Sequence, residues 1–193
     1  MLSYKNRLFG RARLQKVISK VEGRAYKYYA DLLWRLKNGD GSAWEQFVVE
    51  WGARLYSYLR YNIQREEDAQ HLLSDIMVTI VHEMPNFDGT VTLATFVYQL
   101  AYQKLVEYWR KYGKPDLPIY FNRLTTTRHD IEMRKAWLQL EEQSQQVLLL
   151  RYQASLSISE IASVLDRSHE TVEQLLGQVQ RQFQTMFFSN TGA

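Results

Sequence analysis

The chain has no cysteine, which removes disulfides and thiolate metal sites and fits a cytoplasmic protein. Proline is scarce at three residues and glycine at nine, so few positions break a helix. No apolar run approaches the roughly 18 residues that span a bilayer, so no membrane insertion is expected. The basic N-terminus lacks an apolar core segment of the secretory type. There is no Gly-rich phosphate loop and no nucleophile motif, so nothing points to an enzyme. What is present is 46% hydrophobic and 13% aromatic residues in helix-like spacing. The expected fold class is all-α.

Charge of one sign is also scarce overall, with a net of +3, but it is unevenly spread. Residues 1–30 hold eight Lys or Arg against Glu22 alone, and residues 137–193 net −3. A basic arm suits a polyanion or an acidic protein surface. The acidic C-terminal end is unusual for a protein that reads DNA.

Along the chain the signals divide into helices and breaks. Residues Ala25 to Lys37 form a first expected helix, stopped by Asn38-Gly39-Asp40-Gly41. Ser42 and Glu45 have capping-box spacing. Trp44, Phe47, Val48, Trp51, Leu55, Tyr58 and Leu59 then mark the apolar side of a long second helix. A third helix is expected from Asp68 to Met84, with Ala69, Leu72, Leu73, Ile76, Val78, Ile80 and Val81 in or near the core. Pro85 to Gly89 reads as a loop, and a fourth helix runs from about Leu93 to Lys111. Gly113, Pro115, Pro118 and Thr125-Thr126-Thr127 mark a stretch poor in helix formers. The expected organisation is therefore a basic arm (1–24), a four-helix domain (25–111), an extended linker (112–130) and a second helical domain (131–188).

Residues 155–181 have the pattern of a helix-turn-helix. Ser157 and Glu160 form an S-x-x-E capping box, and Ile158, Ile161, Ala162 and Leu165 make one buried face. Asp166-Arg167 is a short polar break. Ser168 is a second N-cap, and Val172, Leu175, Leu176 and Val179 repeat the apolar spacing. Two short helices across a tight turn can present the second to a DNA major groove. Metal chemistry finds no support. His71, Asp75 and His82 share a helical face, but His82 lies seven residues beyond Asp75, about 10 Å along the axis. No cofactor is expected.

In this order the parts resemble the extracytoplasmic-function sigma factors of bacterial RNA polymerase. The matching pieces begin with Leu36-Lys37-Asn38-Gly39-Asp40 and Ala43-Trp44, then Arg54 to Leu59 and Glu67-Asp68-Ala69-Gln70-His71-Leu72. Phe87-Asp88-Gly89 and Ala101 to Arg110 complete the first domain. In the second they are Leu148 to Tyr152, Leu156-Ser157 with Glu160-Ile161-Ala162, and Ser168 with Thr171-Val172. The resemblance covers about residues 31–187. It implies a first domain that docks on the clamp of the polymerase largest subunit and captures the non-template strand of the minus-ten element. It implies a second domain that sits on the flap of the other large subunit and reads the minus-thirty-five element.

By the same resemblance, Asp68, Gln70, His71 and Asp75 fall on the polymerase-binding helix. Asn86, Asp88, Thr90 and Thr92 fall on the loop that receives a flipped base, and Phe87 reads as a core plug beside them. Tyr98, Tyr102, Lys104, Arg110 and Lys111 would line the single strand, where aromatic stacking is worth about 1–3 kcal/mol per base. Arg167, Ser168, His169, Glu170, Thr171, Glu173 and Gln174 would face the minus-thirty-five element. The chain departs from the family pattern here, with Glu173, Leu175 and Gln178 at positions usually basic. The alternative is a diverged sigma-like interaction protein that docks on polymerase and relies on a second protein for DNA targeting. An anti-sigma factor or other targeting protein is a further partner left open.

Overall fold

The computed structural model describes residues 27–115 and 127–188, except for the side chains of 128–130 and 183–188. Expectations for the basic arm, for the start of the first helix at Ala25 and for residues 116–126 of the linker lie outside the described residues. Two compact units divide the chain, 1–46 and 47–193.

In the first unit, residues 27–37 form α1, which ends at Asn38-Gly39, with Gly39 at φ +73°. Leu32 and Leu36 are its buried positions. The next helix, α2 (Gly41–Arg60), is not capped by the expected Ser42–Glu45 box. Asp40 caps it instead, its Oδ1 accepting from the Ser42 and Ala43 amides at 2.9 and 3.2 Å. Asp40 is two residues nearer the turn, and its carboxylate is also gripped by Arg35 Nε at 2.7 Å. The Arg35 hydrogen bond, joined by those from Ser42 and Ala43, draws the Asp40 pKa down to about 2.

The second unit carries the rest of α2, then α3 (Glu66–Glu83), a short 3-10 turn (Met84–Asn86) and α4 (Leu93–Tyr112). Phe47, Trp51, Leu55, Tyr58 and Leu59 on α2 are all at most 1% exposed. They meet Ile76 and Ile80 of α3 and Val97, Tyr98, Ala101 and Leu105 of α4 in a core of fully buried side chains. Gly52 of α2 faces α3, where a Cβ would sit in ordinary van der Waals contact with the Met77 methyl at 3.7 Å. Three expected core positions are instead on the surface. Val48, Val78 and Val81 are exposed, because the α2 and α3 stripes are narrower than the apolar runs that contain them.

The C-terminal helices are α5 (Arg128–Leu138), α6 (Glu142–Leu148), α7 (Ile158–Leu165) and α8 (His169–Phe188). A π-helical turn, Leu149–Gln153, follows α6. The expected capping box at α7 is present, with Ser157 Oγ accepting from the Glu160 amide and Glu160 Oε2 from the Ser157 amide at 2.8 Å. Asp166 ends α7 in the left-handed region at φ 52°, which allows the tight turn into α8. Ser168 caps α8 through the Thr171 amide at 3.1 Å. Ile161, Ala162, Val164, Leu165, Val172, Leu176 and Val179 form the helix-turn-helix core. No helix among the described residues is long and apolar enough to cross a membrane.

Candidate nucleic-acid interface

Four surfaces hold the residues singled out from sequence. On α3, Gln70, His71 and Asp75 are exposed, and their side chains have no hydrogen-bond partner among the described residues. Asp68 is different. Its Oδ2 accepts from the Tyr108 hydroxyl at 2.8 Å and lies 3.9 Å from Arg65 Nε, so it ties α3 to α4. Burial, aided by this carboxylate, pushes the Tyr108 pKa up to about 12.

The loop after α3 is shaped by two contacts. Phe87 is 6% exposed and stacks on Phe96 with ring centroids 4.5 Å apart, which makes it the core plug expected from its chemistry. Asp88 Oδ1 accepts from the Thr90 amide and hydroxyl at 2.9 and 2.8 Å, a local turn that Gly89 completes at φ +78°. Asn86, Asp88 and Thr90 are exposed at the rim of an open cavity of about 360 Å³, whose wall includes Phe87, Phe96 and Gln99. A cavity with aromatic walls and a polar rim has the chemistry to take an unpaired base.

Along α4 the expected strand-facing residues separate. Tyr98 is a core residue, not a surface one. It is 1% exposed and packs edge-on against Tyr58 and Trp51 at centroid distances of 5.5 and 6.3 Å. Burial pushes its pKa up to about 12. Its position on the α4 stripe put it with the polar aromatics in sequence, but that stripe faces α2. Tyr102 is half-buried, Lys104 lies 3.4 Å from Glu107, and Arg110 and Lys111 are exposed.

On the recognition side, Arg167, Ser168, His169, Glu170, Glu173 and Gln174 are exposed. Ser168 and Thr171 are occupied with capping, their hydroxyls 2.8 Å apart. Glu173 lies 3.8 Å from His169, and Gln174 donates to Glu170 at 3.3 Å. This face thus presents two carboxylates with partners on their own helix.

Sequence reasoning did not anticipate what joins the two helical groups. The Tyr58 hydroxyl donates to Gln146 Oε1 at 2.7 Å, and Gln146 Nε2 donates to Asn62 Oδ1 at 2.7 Å. Asn62 also donates to the Tyr58 carbonyl at 2.9 Å and accepts from Trp109 Nε1 on its own carbonyl at 3.1 Å. All these polar side chains are buried, and burial raises the Tyr58 pKa well above its ordinary value. Nearer the loop, the Thr92 hydroxyl donates to Glu160 Oε1 at 2.6 Å while accepting from the Thr95 amide at 3.1 Å. Gln99 Nε2 donates to the Ser163 carbonyl at 3.0 Å. Burial raises the Glu160 pKa, but the bonds from Thr92 and Ser157 outweigh it and leave the carboxyl below its ordinary value.

Comparison with known proteins agrees with this layout. The sigma-70 region 2 family matches residues 47–114, and the sigma-70 region 4 family matches residues 131–179. The RNA polymerase sigma factor YlaC of Bacillus subtilis (strain 168) is 25% identical over 150 residues, 68% of this chain and 84% of YlaC. The structure of CnrH in complex with the cytosolic domain of CnrY shares the fold, with a TM-score of 0.62 at 20% identity. That match covers 84% of this chain and 98% of the solved one. The sigma factor RpoE from Bartonella quintana, crystallised with the anti-sigma factor NepR, gives 0.56 at 10% identity over 76% and 96%. With both sigma-70 regions in order on an all-helical frame, the chain belongs to the extracytoplasmic-function sigma factors, which bind core RNA polymerase and direct promoter recognition and transcription initiation.

Proposed function

We propose that the exposed α3 face of Gln70, His71 and Asp75 docks on the clamp of the polymerase largest subunit. The observation that carries this reading is the division on α3: Asp68 is spent on Tyr108, whereas those three side chains face solvent. The loop residues Asn86, Asp88 and Thr90 take an unpaired minus-ten base, with Tyr102, Arg110 and Lys111 beside the strand. The protein binds and positions DNA in the cytoplasm and breaks no bond itself.

The recognition helix reads the minus-thirty-five element only when polymerase holds it there. Phosphate contacts dominate DNA affinity, and the α8 face offers Glu170 and Glu173, with Arg167 two residues before the helix begins. The N-terminal amides of α8 and its positive dipole end supply one phosphate site. Glu can accept from cytosine N4 and Gln174 can pair with adenine. A protein regulator is a further proposed partner, as the anti-sigma factor NepR is for the RpoE solved with it.

The test is in vitro transcription with core polymerase and a randomised promoter library. Enrichment of a two-element promoter supports the reading. Polymerase binding without any enriched sequence would favour the diverged interaction protein instead.

A further inference from the structure

We propose that Glu83 sets the base specificity of the loop cavity, admitting a base that carries an exocyclic amine and rejecting thymine. The inference rests on the assignment of that loop to an unpaired base given above, and it names which bases the loop takes. Glu83 is the last residue of α3, three positions before Asn86. It lines the same open cavity of about 360 Å³ as Asn86 and Asp88. Its side chain is exposed and has no hydrogen-bond or ion-pair partner among the described residues. The described lining holds two carboxylates, Glu83 and Asp88, and no lysine or arginine. A phosphate brought to this rim would meet like charge with no lining cation beside it, so the rim suits a base edge better than the strand backbone.

The other lining groups do not discriminate. The Phe87 and Phe96 wall stacks on any base, since every base has a π-face. The Asn86 amide both donates and accepts, so it has an answer to every base edge. Asp88 Oδ1 is engaged by the Thr90 amide and hydroxyl at 2.9 and 2.8 Å. Glu83 is different, because an ionised carboxylate accepts hydrogen bonds and donates none. Adenine, cytosine and guanine each carry an amine, at N6, N4 and N2, that can donate to it. Thymine has no amine. Its one ring N–H lies between two carbonyl oxygens, so a carboxylate that reaches for it also meets O2 or O4. An acceptor facing an acceptor loses its water and gains no partner, which is the strongest form of rejection a hydrogen-bonding site has.

The test uses the full chain with core polymerase and competing single-stranded non-template minus-ten oligonucleotides. An abasic site stepped through the strand marks the positions at which a base is bound, and the four bases are then compared at each. At one of them thymine should bind about tenfold or more weakly than the favoured base. Removing only the amine from the favoured base (purine for adenine, 2-pyrimidinone for cytosine, hypoxanthine for guanine) should weaken binding as much as thymine does. Glu83→Gln donates as well as accepts, so it should shrink the thymine penalty to about threefold or less at an unchanged melting temperature. The ratio between bases is the readout, because losing a carboxylate strengthens the binding of every strand alike. A thymine penalty that persists in Glu83→Gln, or no position that rejects thymine, overturns the selection while the role of the loop stands. If an abasic site weakens binding at no position, no base enters the cavity, and the functional reading of the loop falls together with the selection.

Discussion

Gln146 Nε2 donates to Asn62 Oδ1 at 2.7 Å across 84 residues of sequence, with Gln146 fully buried and Asn62 3% exposed. Removing one partner strands the other in a place water does not reach. Asn62→Ala should cost about 1–3 kcal/mol of stability, because buried Gln146 Nε2 loses its acceptor and the Tyr58 carbonyl keeps only the Tyr61 amide. Urea unfolding of the full chain measures this as a lower midpoint at unchanged slope. A midpoint equal to that of the parent protein would show that the pair contributes nothing.

The contrast between α7 and α6 shows what could be read in advance. Ser157 and Glu160 are three residues apart, and their reciprocal bonds are local, so the sequence carries the whole motif. Gln146 is the opposite case. A glutamine on a short helix reads as a solvent position, and what buries it comes from Tyr58 and Asn62 on a distant element. Tyr98 was misplaced for a related reason, since its ring belongs to the apolar stripe while its hydroxyl resembles a surface group. Asp40 displaced the Ser42 cap because Arg35, five residues earlier, fixes its carboxylate. Patterns closed within one turn are legible, whereas burial decided by packing partners is not.

The α7 cap yields the next expectation. Ser157→Ala removes the acceptor for the Glu160 amide and should cost about 1 kcal/mol, typical for an N-cap. Ser157→Asp, which keeps an acceptor, should recover most of it. Thermal melts of the three proteins decide the matter, and equal midpoints would discount the cap.

Acid should loosen the contact between Thr92 and Glu160. The folded pKa of Glu160 lies below its ordinary 4.5, so its contribution to stability is fully present above that value. It is lost as pH falls through the lower folded value. Stability measured from neutral pH down past 4.5 should decline more steeply in the parent protein than in Glu160→Gln. Parallel curves would mean that the carboxylate is not preferentially stabilised in the folded chain.

The α3 face separates docking from folding. His71→Ala with Asp75→Lys should weaken capture by immobilised core polymerase and leave the unfolding free energy within about 0.5 kcal/mol of the parent, as for other exposed substitutions. Asp68→Ala should do the reverse, because it removes the acceptor that holds the Tyr108 hydroxyl at 2.8 Å. If Asp68→Ala reduced capture with unchanged stability, the docking face would have to be redrawn to include it.

Charge on the recognition helix supplies the last expectation. Glu173 is exposed in the first turns of α8, with His169 Nδ1 3.8 Å away, so its carboxylate would meet incoming phosphate. Glu173→Lys changes the local charge by two and adds a phosphate contact, so the full chain should bind duplex DNA of any sequence more tightly. Each added phosphate contact steepens the fall of log affinity with log salt by about 0.9. Sequence preference should not sharpen, because phosphates carry no sequence information. Fluorescence anisotropy with two unrelated duplexes across a salt series measures both effects. Tighter binding to one duplex alone, with an unchanged salt slope, would mean that residue 173 touches a base edge rather than the backbone.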